Sequence, residues 1–189
     1  MRQAAKVALS LLVAALAVPA IQATTAVEHS ETDLIRAAEV IVVGRVAATQ
    51  STWIDRDLVT LATISVSETL KGSPVSEVTV VVPGGVDANR KIPVAMTYPA
   101  APELLKQENV LLFLTAEGRV VDGYSIVGFS QGKFSVVESA KGEKIATQNL
   151  SALTLQDKNG NTRRGSAKTI SLPELRQKIE ATPSIERQR

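Results

Sequence analysis

Glu39-Val40-Ile41-Val42-Val43-Gly44-Arg45-Val46 decides how the chain folds. β-Branched residues fill it almost throughout, which suits a pleated strand and leaves a helix little rotamer freedom. Its apolar side chains stand at consecutive positions rather than at every second one, so the strand is expected to be buried on both faces. Gly44 interrupts the run and marks a bulge or bend. Immediately upstream, Ser30 can cap a helix whose first turn carries Glu31 and Asp33. Leu34, Ile35, Ala37 and Ala38 then share one side, giving a short helix from Ser30 to Ala38.

Downstream, Ile54-Asp55-Arg56-Asp57 reads as a turn, and Leu58 to Leu70 alternates with Ala62, Ile64 and Val66 on one face and Thr63, Ser65 and Ser67 on the other. Lys71-Gly72-Ser73-Pro74 breaks that strand. Val78, Val80 and Val82 resume the two-residue period until Pro83-Gly84-Gly85 ends it. From Pro83 to Asn109 no period is sustained, so an irregular excursion is expected, with a helical turn at Glu103 to Lys106. Val110-Leu111-Leu112-Phe113-Leu114 is a fully apolar strand. Arg119 to Phe129 and Lys133 to Glu138 suggest a hairpin around Ser130-Gln131-Gly132, and Lys144 to Thr147 a further short strand. Asp157-Lys158-Asn159-Gly160-Asn161 is a turn followed by a polar stretch expected to be irregular through Lys168. Ser171-Leu172-Pro173-Glu174 has capping-box spacing, and Leu172, Leu175 and Ile179 form the stripe of a last short helix.

Five or six strands with one or two short flanking helices predict a mainly β fold. A small closed OB-like β-barrel would leave no exposed edges, and a two-sheet β-sandwich is the alternative, since alternation does not distinguish closure from stacking. The expected division is a leader over 1–23, the barrel over 24–150, and a polar segment with a capping helix over 151–189.

The leader has the pattern of a cleavable signal peptide: Arg2 and Lys6, an apolar run from Val7 to Val18, and Ile21-Gln22-Ala23 as a cleavage site. A secreted or periplasmic product is expected. The run is shorter than the roughly 20 residues that a membrane-crossing helix needs, so no transmembrane segment is predicted. The chain has no cysteine, so the exported domain must be held by burial and not by disulfides. Of 21 Lys and Arg, Arg2 and Lys6 lie in the leader, leaving 19 against 19 Asp and Glu. A mature net charge of zero argues against nucleic acid. From Asp157 onward cations outnumber anions, which reads as a solvated basic end ahead of a patch for membranes or polyanions.

The same inventory closes off much chemistry. Without cysteine there is no thiol nucleophile or metal thiolate, and with His29 as the single histidine there is no histidine-rich metal site; no cofactor and no metal are expected. His29 lies near the expected mature start, a poor position for a catalytic base. Gly84-Gly85 lacks the lysine and hydroxyl residue of a phosphate loop. Asp55 with Asp57 and Glu103 with Glu108 are the carboxylate pairs available to a hydrolase, the first pair at a predicted turn where exposed charge is ordinary. Aromatic residues make up 3% of the chain, too few for the ring platforms of a sugar site, and Trp53 is read as a cap on the barrel end. Asn149-Leu150-Ser151 matches a glycosylation acceptor, a short motif that also arises by chance. No catalytic residue is assigned.

The Glu39 to Val46 strand, the alternating strand closing in Leu70-Lys71-Gly72, Val78-Thr79-Val80-Val81-Val82-Pro83-Gly84-Gly85 and Val110 to Leu114 together resemble the netrin-like module of the tissue inhibitors of metalloproteinases, in its cysteine-free bacterial form. The likeness covers about the first two-thirds of the mature chain. It implies an OB-like barrel whose free amino terminus enters the cleft of a zinc protease, the terminal amine and carbonyl reaching the metal. With cleavage after Ala23, Thr24 would be the implied ligating residue and Thr25 the implied pocket residue, with Ala26 and Val27 completing the partner-binding segment. The animal inhibitors open on Cys-x-Cys where this chain has Thr24-Thr25-Ala26-Val27, so the segment is expected either to order on binding or to be a disordered leader. The implied function is a secreted, non-enzymatic protein-binding domain, an inhibitor or accessory of an exported zinc metalloprotease. An envelope-associated ligand- or surface-binding barrel is the alternative, and a carboxylate hydrolase a third reading.

Overall fold

The computed structural model describes residues 24–183; the expected signal peptide, 1–23, lies outside the described residues. Among the described residues, thirteen strands and two α-helices follow in order. They are β1 (Thr24–Val27), α1 (Glu31–Ala37), β2 (Val40–Ile54), β3 (Asp57–Lys71), β4 (Glu77–Pro83), β5 (Gly85–Asp87), β6 (Val94–Met96), β7 (Asn109–Ala116) and β8 (Gly123–Ile126). A 3-10 turn at Phe129–Gly132 leads to β9 (Lys133–Glu138), β10 (Lys144–Asn149), β11 (Leu153–Gln156), β12 (Thr162–Arg164), β13 (Ala167–Ser171) and α2 (Leu172–Ala181). The protein is mainly β, with sheets of mixed strand direction.

β2 and β3 form a long antiparallel ribbon turning at Asp55-Arg56, where Asp55 has φ 54°. The ladder slips at Val43/Gly44 and at two other points, and such bulges bend and twist a ribbon. Gly44 is required there: a Cβ on it would lie 2.5 Å from the Ser65 carbonyl oxygen and 2.8 Å from Cγ2 of Ile64. The main sheet has the order β13-β10-β9-β7-β2-β3-β4-β8, and β8 pairs a second time, with β7. β7 therefore gives one edge to β2 and divides the other: Val110 to Leu112 pair with β9, Leu114 to Ala116 with β8. The chain forks beyond Phe113.

The apolar runs of β2 and β7 are explained by this placement. Val40, Val42 and Val46 with Val110, Leu112 and Leu114 face a core completed by Ala62, Ile64, Val78, Val80, Val82 and Ile126. Ile41, Val43, Leu111 and Phe113 face a second core with Phe134, Val136, Ala146 and Ile170, roofed by Leu34 and Ile35 of α1 and Leu175 and Ile179 of α2. Ser30 and Asp33 form a reciprocal capping box at the start of α1. Lys71 Nζ donates to the carbonyls of Ile35 at 2.6 Å and Ala38 at 2.7 Å, satisfying acceptors left open at the helix end. Ser171 Oγ accepts from the Glu174 amide and caps α2.

After α1, three expectations differ from the observed fold. The excursion from Pro83 to Asn109 contains a small ribbon, β5 with β6, and no helical turn at Glu103 to Lys106. Gly84 and Gly85, at φ 94° and 152°, fold this ribbon back over β2, where the Trp53 indole donates to Asp87 Oδ2 at 2.8 Å and the Arg90 guanidinium stacks 4.7 Å from the ring centre. The expected hairpin around Ser130-Gln131-Gly132 does not form. β8 pairs with β4 and β7 while β9 pairs with β7 and β10, because left-handed Gly128 and Phe129, at φ 65° and 57°, carry the chain across the fork. The polar stretch after Asp157 is not irregular. Its turn was read correctly, but β11 and β12 pair across it, and β13 pairs with β10. β12 is exposed at every position and has no alternation to read.

Candidate binding cleft along the amino-terminal strand

Thr24–Val27, expected either to order on binding or to be a disordered leader, instead form β1 at the edge of a second sheet of order β1-β11-β12. Thr24 to Val27 run parallel to Leu153 to Gln156. Ala26 packs on Leu150, Leu153 and Leu155, while Thr25 and Val27 turn outward. The other side of the segment is held by Gln131, which is 3% exposed. Its side-chain carbonyl accepts from the His29 amide at 2.9 Å and its side-chain NH2 donates to the Val27 carbonyl at 2.8 Å. Gln148 Nε2 in turn donates to the Gln131 carbonyl, so a buried pair of amides ties the amino end to β10. Buried amides persist where their donors and acceptors are met, as here.

Ion pairs reinforce the attachment. Arg163 Nη2 lies 2.5 Å from Glu28, Lys158 3.4 Å from Asp33, Lys178 2.9 Å from Glu31 and Arg176 2.6 Å from Glu68, and Lys168 also pairs with Glu31. The basic tail is thus largely answered by carboxylates of the body. The Arg163 hydrogen bond holds Glu28 below the usual carboxylate range. Burial pushes Glu31 up, but its hydrogen bonds to Lys168 and Lys178 outweigh that, and its pKa is lowered. The Ser30 hydroxyl and amide draw Asp33 down to about 2.

A cleft of about 660 Å³ opens along β1, lined by Thr25 and Val27 of that strand together with Pro99, Ile126, Val127 and Phe129. None of its lining residues is Asp, Glu, Lys or Arg. Two adjoining grooves differ: one of about 470 Å³ includes Glu103 and Lys133, and one of about 370 Å³ includes Glu28, Glu31, Arg163 and Lys168. Phe129 is 48% exposed and Val27 61%. The structure therefore brings Thr24, Thr25, Ala26 and Val27 together in one wall. Sequence reading missed Phe129 and Gln131. The glycines flanking Phe129-Ser130-Gln131 are the available signal, but the sequence reading places Gly128 in a strand and Gly132 in a hairpin turn.

The residues weighed for catalysis are placed apart. Asp57 pairs with Arg119 at 3.2 Å beside the exposed Asp55. Glu103 is exposed, and Glu108 accepts from Lys133 Nζ and from Ser135 Oγ, each at 2.5 Å. Burial raises the Glu108 pKa, but the bonds from Lys133 and Ser135 win, so its net shift is downward. A carboxylate held in that range with an ammonium partner is a poor base for the neighbouring hydroxyl. No serine hydroxyl or carboxylate is hydrogen-bonded to the His29 ring among the described residues. Among the described residues no group of three or more His, Asp and Glu side chains is arranged to hold a metal ion, and no helix is long and apolar enough to cross a membrane. No family model matches the chain, and no curated protein or solved structure does either.

Proposed function

We propose that the chain is a secreted or periplasmic, non-enzymatic protein-binding domain built on a small closed OB-like barrel, with the cleft beside β1 as its docking face. Closure is supported by the double pairing of β8: β7, β2, β3 and β4 follow one another in the sheet, and β8 bonds to both ends of that series. The observation that carries the functional reading is a cleft lined by no Asp, Glu, Lys or Arg side chain, with Phe129 and Val27 exposed in it, on a chain whose charged side chains elsewhere are extensively paired. Exposed aromatic and apolar side chains grouped in a concavity are characteristic of surfaces that bind other proteins.

The resemblance to metalloproteinase inhibitors makes an exported zinc metalloprotease the first partner class to test. Ligation of the metal by Thr24 would require that residue to leave its pairing with Leu153 of β11, whereas docking along the cleft would not. A surface-binding role for the basic tail finds less support, since Lys158, Arg163, Lys168, Arg176 and Lys178 all face carboxylates.

The test is inhibition of a purified thermolysin-type protease by the chain beginning at Thr24 and by the same chain with one residue added ahead of it. Inhibition of both, with slowed amide exchange at 24–29 and 128–131, supports docking along the cleft. Inhibition abolished by the added residue supports insertion of the terminus instead. No inhibition and no slowed exchange would remove the protease from the proposal.

A further inference from the structure

Resting on the reading of the cleft as a docking face, we infer that its occupant is an extended peptide segment of a partner protein, free of basic side chains, which pairs with β1 at Thr25, where Gln131 leaves its edge open, and sets an apolar side chain against Phe129. The Glu28 amide donates to the Gln156 carbonyl on the β11 side at 2.8 Å. In an extended strand neighbouring residues turn their amide groups to opposite sides, so Thr25, Val27 and His29 present theirs to the cleft. There the side-chain amide of Gln131 bonds to Val27 and His29, occupying the position that a peptide group of an adjacent strand would take. Thr25, next along the same edge, has no such side chain bonded to its backbone among the described residues. A strand edge of this kind is completed by another strand, with main-chain bonds supplying affinity and alternate side chains supplying selectivity.

The walls specify what that strand carries. A basic side chain brought into the cleft would lose water and find no carboxylate, because no Asp or Glu lines it. Small hydroxylated and apolar residues suit Thr25, Val27, Ile126 and Val127. Phe129 adds an independent sign: its φ of 57° is a conformation that bulky residues rarely adopt, and the residue is 48% exposed while lining the cleft. Backbone conformations of this cost gather at binding sites, and aromatic anchors dominate interface energetics.

The experiment uses the chain beginning at Thr24 and fluorescein-labelled, acetylated hexapeptides alternating Val with Thr, Ser or Ala, read by fluorescence anisotropy. Saturable binding is expected for some members of the set. N-methylation of alternate amides, or lysine in place of two valines, should weaken it about tenfold, equivalent to about 1.4 kcal/mol. Phe129→Ser should weaken it about fivefold or more, whereas Val137→Ser, exposed on another part of the surface, should leave it unchanged. Circular dichroism of both variants checks that they remain folded, and the Thr25 amide resonance should shift on titration. No saturable binding below about 1 mM, or equal binding of the N-methylated peptides, would overturn the proposal. So would dimerisation of the chain through the cleft that Phe129→Ser abolishes, which would make a second copy the occupant. A partner protein that slows exchange at 24–29 and 128–131 while no peptide binds would preserve the docking face and reject strand addition.

Discussion

Gln131 does the work that a neighbouring strand would otherwise do for the amino end, and its burial makes that role measurable. Gln131→Leu keeps the volume but removes both bonds, leaving the Val27 carbonyl and the His29 amide without their partner. The expected loss is about 1–3 kcal/mol in urea denaturation, with faster exchange of the His29 amide; unchanged exchange would mean that β1 is held by other contacts. Gly44→Ala should also destabilise the chain by about 1–3 kcal/mol, since the new methyl would collide with the Ser65 backbone, and a wild-type midpoint would show that the ribbon has room to relax. The two positions differed in how well they could be read from sequence. A glycine inside a β-branched run announces a bulge, whereas a glutamine between serine and glycine looks like any turn residue, because its role depends on backbone about a hundred positions away.

Strands with a period were legible, and strands without one were not. β2, β3, β4 and β7 were read from alternation or from continuous apolar runs, and both helices from their caps. β1, β5, β6 and β12 have three or four residues each, too short for any periodicity, and the partners of β1 lie at the far end of the chain. The basic end was visible as a charge imbalance, but the carboxylates it pairs with could not be assigned without the fold. These pairs should respond to salt and acid. Exposed pairs contribute about 0–1 kcal/mol each and are screened, so 1 M NaCl should speed amide exchange in β11 and β12 more than in β2 and β7; uniform exchange would show that burial alone holds the second sheet. Glu28, Glu31 and Asp33 have pKa values lowered by folding, so their contribution is complete above the unfolded carboxylate range and is lost as pH falls through the folded values, about 2 for Asp33. Stability should therefore fall between about pH 5 and pH 2, and Asp33→Asn should fall less steeply. An identical slope for that variant would contradict the capping-box origin of the shift.

Two cores on the two faces of β2 and β7 organise the whole molecule, and the strand that decided the prediction lies between them. The mainly β class followed from that segment together with the alternating and apolar strands after it. The fork of β7 did not, because two strands sharing one edge leave no pattern in either. The cleft lies at that fork, where Ile126, Val127 and Phe129 pass over to β9 and β1 is laid alongside. Its existence in solution depends on β1 being part of the fold before any partner arrives. Hydrogen–deuterium exchange of the chain beginning at Thr24 tests this most directly. The Glu28 and His29 amides, bonded to Gln156 and Gln131, should be protected to the same order as β11. Exchange of both at the rate of an unstructured peptide would show that the amino end is a loose leader, and the docking face described here would not exist.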